Sequence, residues 1–285
     1  MSGKMHNFIP PIPSKLTKRL LPSSDIAINS ITISIDSLNR FMQLLPVQYG
    51  WRFRTVDALK AEILEAAPSG EPLVMNRVYW EDMLKTCEAY TVMNSWRIME
   101  LARSCVWALG REDVACAAIV ARSALENTAQ FADAARTISA TLDNSATADF
   151  KKVIATSLDL ETFLLKTVFA SRLPDNDAIY NPTNILTILK RIGKIEGQGF
   201  IETTHQELCE ITHPNFLGRS LYIVSSKPNN RPGDEIRTLS LRKGPTADLA
   251  IMPTVRGLSW ACMTHVTAAL LLQKSIGAFA PKLTR

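Results

Sequence analysis

The sequence predicts an all-α helical bundle with one small β-hairpin inserted before the C-terminal helix. Three observations predict it. Apolar residues recur at three- and four-residue spacing along most of the 285 residues. Strand-like patterning is confined to two short runs, near 220–226 and 235–242. The composition, 46% apolar and 21% charged, is globular and excludes disordered or collagen-like architectures.

Residues 1–22 hold Pro10, Pro11, Pro13 and Pro22 among basic side chains. Proline removes backbone donors and favours extended chain, so this segment reads as an extended basic, proline-rich arm. Ile28, Ile31, Ile35, Leu38, Phe41 and Leu45 then trace a helix from Ser24 that stops before Pro46. A short helix follows at about 56–67, with Thr55 as N-cap and Pro68-Ser69-Gly70 as terminator. The next helix is long, about 76–109, with Trp80, Leu84, Cys87, Thr91, Ile98, Leu101, Cys105 and Ala108 on its inward stripe. Gly110 suits the position after that helix, where positive φ is common.

A second long helix, about 112–140, is rich in alanine, which lets neighbours approach closely. The tight turn between the two long helices implies an antiparallel pair. A third helix is expected at about 146–171 and a short one at 183–192, before a glycine-marked loop over 193–199. A helix at about 201–212 has to end near His213, because Pro214 disfavours helical geometry before it. After the hairpin at about 220–242, an apolar helix at about 254–276 closes the chain. The organisation expected is the arm (1–22), N-terminal helices packing on the core (23–110) and a helical core carrying the hairpin (111–285).

Five cysteines, an odd number with no C-x-x-C pair, fit buried reduced thiols better than disulfides or a zinc knuckle. No uninterrupted apolar run reaches the ~18 residues of a membrane span, and the first residues lack a signal peptide's apolar core. The expectation is therefore a cytoplasmic protein with no membrane partner. No phosphate-cradling glycine motif appears, and neither a cofactor nor a bound metal is expected. The basic surplus lies in the arm, the hairpin region and the tail, while the middle of the chain is mildly acidic. A polyanion such as RNA would meet Arg231, Arg237, Arg242 and Lys243 first; solvated surface charge is the plainer reading.

Two constellations could carry chemistry. Arg122 and Glu126 are four residues apart on the second long helix and share a face, and their neighbours Ala118, Ile119, Ala121, Leu125 and Ala129 suggest partial burial. Such a pair either fixes helix packing or presents Arg122 to an anion, with Glu126 orienting it or a histidine. His205, Cys209 and His213 form the second set, on one helical stripe. A straight helix separates the outer two by ~12 Å, so they cannot share one ion. His205 reads as an interface or core residue, and His265, in the apolar last helix, as a core histidine. His213, where its helix ends, is either a C-cap or a general acid or base, histidine's usual chemical role near neutral pH.

The run Arg122-Ser123-Ala124-Leu125-Glu126, followed by Leu208-Cys209-Glu210-Ile211-Thr212-His213-Pro214-Asn215, resembles a family of uncharacterised bacterial helical proteins. That family shows R-S-x-x-E on a long helix and L-S-x-x-x-H-P after a shorter one, then a hairpin and a closing helix. The match covers about 112–277. Cys209 stands where serine is frequent, and His205 where tyrosine is. More distantly, the arrangement is similar to HEPN domains, helical bundles that are often dimeric and often metal-independent ribonucleases of toxin and phage-defence systems. The resemblance implies an RNA-cleaving endonuclease with Arg122, Glu126 and His213 as its catalytic set, in a chain able to form a homodimer. The R-x(4–6)-H motif of active HEPN members is missing, so Arg122 and His213 can meet only through folding. The alternative is a non-catalytic interaction module or accessory subunit whose Arg–Glu–His network is structural, with a protein partner that the sequence does not name.

Overall fold

A computed structural model describes residues 8–20, 25–171, 173, 180–229, 231, 233–241 and 246–284. Among these residues the elements run α1 (Ser14–Leu20), α2 (Asp25–Met42), α3 (Val56–Ala66), α4 (Pro72–Gly110), α5 (Val114–Ser145), α6 (Leu158–Val168), α7 (Ile185–Gly193), α8 (Phe200–Thr212), α9 (Phe216–Ser220), β1 (Ile223–Pro228), β2 (Glu235–Leu239) and α10 (Thr246–Phe279). The fold is all-α with a two-stranded antiparallel hairpin before the last helix, as the apolar spacing predicts.

The chain forms two compact units. The first draws on Met1–Leu44, Trp96–Ala129 and Ile185–Val266, the second on Leu45–Ser95, Gln130–Asn184 and Thr267–Arg285. In the first, the small residues of α5 (Ala117, Ala118, Ala121 and Ala124, all fully buried) allow close helix packing. Gly257 of α10 does the same. A Cβ there would lie 3.0 Å from Leu208 of α8 and 3.6 Å from Leu125 of α5. Ser30 and Ser34 of α2 hydrogen-bond Ser259 of α10, each at 2.8 Å.

In the second unit, side chains of α4 hold the segment before α6. Asn76 Nδ2 donates to the carbonyls of Phe150 and Val153, and Asn76 Oδ1 accepts from Ala155 N. Trp80 Nε1 donates to Ala155 O, and the Tyr79 hydroxyl exchanges hydrogen bonds with the backbone of Ser157. These bonds satisfy backbone groups that a helix would otherwise pair. The helix expected at 146–171 is consequently only α6, capped by Ser157, whose side chain accepts from Leu160 N.

Other expectations also change. The proline-rich stretch is not wholly an extended arm, because Ser14–Leu20 is helical. All its described prolines precede the helix, the Pro13 carbonyl accepts from Thr17 N, and Ile9 and Leu16 are buried. Positive φ falls at Glu112 (61°), not at Gly110, because α4 runs through the glycine before the chain turns. Cys87, Cys105 and Cys262 are buried free thiols, but Cys116 is exposed on the outer face of α5.

The last helix begins at Thr246, well before Pro253. Burial of Ala247, Ala250 and Ile251 offsets the hydrogen bond that proline removes. The stretch Ala247–Leu283 is long and apolar enough to cross a membrane by length and composition, with 61% of its most apolar window buried. Leu258, Ala261, Cys262 and Leu272 within it are fully covered, as in a core helix.

His265 is fully buried, edge-on to Phe41, and burial pushes its imidazole down to about 3. The unfolded imidazole binds its proton near pH ~6.5, and the folded one resists it until far lower. Stability from this site is complete above pH ~6.5 and is lost as pH falls toward 3, by up to ~1.4 kcal/mol per pH unit. Urea titrations between those values should show a shallower pH slope for His265→Leu than for wild type. Equal slopes would contradict the assignment.

Candidate functional site

The site is built where α5 meets the end of α8. Pro214 forces His213 out of helical geometry, to φ −80° and ψ 159°, and the His213 N–H still closes the last turn onto Cys209 O. Helix α9 then starts at once. It packs so closely that a Cβ on Gly218 would lie 2.6 Å from Ile211 O and 2.9 Å from His213 O. Backbone cannot yield as a side-chain tip can. Gly218→Ala should therefore cost about 1–3 kcal/mol and shift the His213 side-chain resonances in NMR spectra. Unchanged stability and spectra would show that the turn is not so constrained.

Folding brings Arg122 and His213 together, 91 residues apart in sequence, with Arg122 Nη1 3.2 Å from His213 Nε2. The same nitrogen donates to Thr212 Oγ1 at 3.1 Å, while Arg122 Nε donates to Glu126 Oε1 at 2.8 Å. Glu126 Oε1 also accepts from His205 Nε2 at 2.9 Å. Glu126 thus orients Arg122 and His205, and Arg122 alone links the carboxylate to His213. Exposure is graded. The His205 side chain is 4% accessible, Arg122 and Glu126 are 27% and 29%, and His213 is exposed. The three expected site residues therefore converge on an open surface.

Hydrogen-bond logic fixes the two imidazoles differently. A guanidinium only donates, so His213 Nε2 is the acceptor and the ring proton sits on Nδ1. A carboxylate only accepts, so His205 carries its proton on Nε2. Burial works to raise the Glu126 carboxyl, but the hydrogen bonds from His205 and Arg122 and the nearby positive charge outweigh it. The carboxyl is held below its usual range, as an anion that anchors the cluster.

Cys209 is not an activated nucleophile. Burial raises its thiol; Arg122 works against this, while Glu126 and Glu210 add to it. Its sulfur lies 3.7 and 3.8 Å from the two ring nitrogens of His205, so it does not point along one lone pair. His205, read from sequence as an interface or core residue, belongs to this cluster, as does Thr212. The helical stripe His205-Cys209-His213 is the available signal for His205; the sequence offers Glu126 a histidine to orient, but nothing in the spacing singles out His205. Among the described residues, no three His, Cys, Asp or Glu side chains are grouped as a metal ion requires.

The flank of the site is basic and aromatic. The Arg237 guanidinium of β2 lies 5.9 Å from the centroid of the Phe216 ring, which is 68% exposed. Arg219 Nε donates to Pro214 O at 3.0 Å. Arg231 is exposed, whereas Arg242 and Lys243 lie outside the described residues.

The chain matches no family model, no curated protein and no solved structure. What this site can do is carried by its own geometry.

Proposed function

We propose that the surface formed by Arg122, Glu126 and His213 is an RNA-cleaving centre of HEPN-like type, in an effector of a phage-defence or toxin-type system. The observation that carries this reading is the 3.2 Å approach of Arg122 Nη1 to an exposed His213 Nε2. A phosphodiester binding there takes the guanidinium's donors onto its non-bridging oxygens and releases the Nε2 lone pair. His213 Nε2 accepts the proton of the ribose 2′-hydroxyl. The 2′-oxygen bonds to phosphorus, the bond from phosphorus to the 5′-oxygen breaks, and the imidazolium returns its proton to that leaving oxygen. Glu126 positions Arg122. Phe216 and the arginines of the hairpin supply stacking and charge for neighbouring nucleotides.

The mechanism leaves a signature. Wild-type protein should cleave single-stranded RNA in excess EDTA, giving 2′,3′-cyclic phosphate and 5′-hydroxyl ends, and should leave an all-2′-deoxy strand intact. Cleavage of the deoxy strand, or ends of the opposite chemistry, would overturn it.

A second reading is supported by the hydrogen bond from His205, whose side chain is only 4% accessible, to Glu126. It makes the cluster a structural network in a non-catalytic interaction module. That reading expects Arg122→Ala to lower the melting temperature, because Glu126 loses its cation, in a protein that leaves RNA intact.

A further inference from the structure

The second compact unit contains a cavity of about 270 Å³, lined by Trp51, Phe53, Arg54, Tyr79, Asp82 and Phe169 among others. Three of these rings form one aromatic wall. Trp51 stacks on Phe169 with centroids 6.1 Å apart, and Phe53 stands edge-on to both, at 5.9 and 5.4 Å. Trp51-Arg52-Phe53-Arg54 lies in the connecting stretch just before α3, and Trp51, Phe53 and Arg54 all line the cavity.

Arg54 is the unusual group here. Its side chain is 14% accessible, and its Nε and Nη1 are buried with no hydrogen-bond partner. Asp82 and Glu62 stand 3.4 and 3.6 Å from Nε, near enough to balance the charge but not to accept a directed bond. A buried donor without an acceptor costs about 1–3 kcal/mol. Turning the guanidinium toward the cavity would give up no hydrogen bond from these two nitrogens, and an acceptor there would gain one. Asp82 lines the same cavity beside it. Burial raises its carboxyl, Arg54 works against that, and Glu62 adds to it. The cavity therefore presents a planar donor and a carboxylate acceptor side by side, along with the three aromatic rings that also line it.

We propose that this cavity binds a small planar heteroaromatic ring bearing a carbonyl next to a ring N–H, that is, a cyclic amide. The carbonyl accepts from Arg54, the N–H donates to Asp82, and the ring lies against Trp51, Phe53 and Phe169. A carboxylate ligand is disfavoured, because it would place a third anion around a guanidinium already flanked by two. The cavity is slightly smaller than the ~300 Å³ at which drug-sized sites begin, which selects one or two fused rings. This inference is independent of the RNA-cleavage reading.

The test uses the full chain and three probes, 2-quinolone, quinoline and 2-naphthoate, followed by calorimetry and ligand-observed NMR. Expected is saturable binding of 2-quinolone, at least tenfold tighter than either of the others. Arg54→Lys keeps the charge opposite Asp82 but removes the planar fork, and should weaken 2-quinolone at least tenfold. Phe53→Ala changes a residue that is 60% exposed; it leaves the fold intact and should also weaken the probe. Absence of 2-quinolone binding at millimolar concentration would overturn the proposal. So would equal affinity for quinoline, which would mean a merely greasy cleft, or 2-quinolone affinity unchanged in Phe53→Ala.

Discussion

His213→Ala is expected to lower the rate of RNA cleavage by about 10²–10⁴-fold, the usual contribution of a positioned general acid–base group. The melting temperature should not change measurably. The side chain is exposed, and its backbone is extended, a conformation that alanine adopts freely. Arg122 keeps its bonds to Glu126 and Thr212 in the variant, so the phosphate-holding group stays in place. Single-turnover cleavage of a labelled RNA, with circular dichroism melts of the same samples, measures both quantities. Loss of cleavage together with loss of folding would assign His213 a structural role. Retained cleavage would remove it from the mechanism.

Trp80→Ala should cost about 3–5 kcal/mol of stability, the range for truncating a buried large aromatic. Trp80 has no accessible surface and is among the largest fully buried side chains. Its ring lies 4.7 Å from that of Phe279 and 5.3 Å from that of Tyr79, centroid to centroid. Its Nε1 donates at 2.9 Å to Ala155 O, in the irregular segment leading to α6. Truncation opens a cavity and also loosens that segment, so the two losses combine. Urea unfolding should show a markedly lower midpoint. A change below about 1 kcal/mol would mean that the surroundings collapse onto the site far more completely than such sites usually do.

Much of this fold can be read from the chain because burial follows period. The inward stripe of α4 reads directly as Trp80, Leu84, Cys87, Thr91, Ile98, Leu101, Cys105 and Ala108, and all but the half-buried Leu101 are buried in the structure. The end of α8 is legible because proline acts locally on the residue before it. Elements set by tertiary contact are less legible. The apolar residues Val153, Ile154 and Leu158 suggest a helix through 146–171, yet all three are exposed and the backbone there is bonded to Asn76, Tyr79 and Trp80. Helix α9 has five residues, too few for a period to register. The N-terminal turns of α10 are masked in sequence by Pro253, whose local cost is offset by burial that the pattern alone does not reveal.

The site divides in the same way. Arg122 and Glu126 pair within one helix, so their spacing announces them. His213 is marked by the proline after it. That these groups meet, and that Glu126 reaches His205, depends on how α8 lies against α5. The small residues of α5 and Gly257 permit that approach without specifying its register. The Arg54 cavity left no sequence signal, because alternating aromatic and basic residues in a connecting stretch look like ordinary surface.

The central claim is that Arg122 and His213 act on one phosphodiester. A double-mutant cycle on cleavage rate in EDTA, using Arg122→Ala, His213→Ala and the double variant, tests it most directly. If the two side chains serve one transition state, the double variant loses little more than the worse single variant. If the losses multiply, the two act independently, and if wild-type protein leaves RNA uncut the proposed centre does not exist.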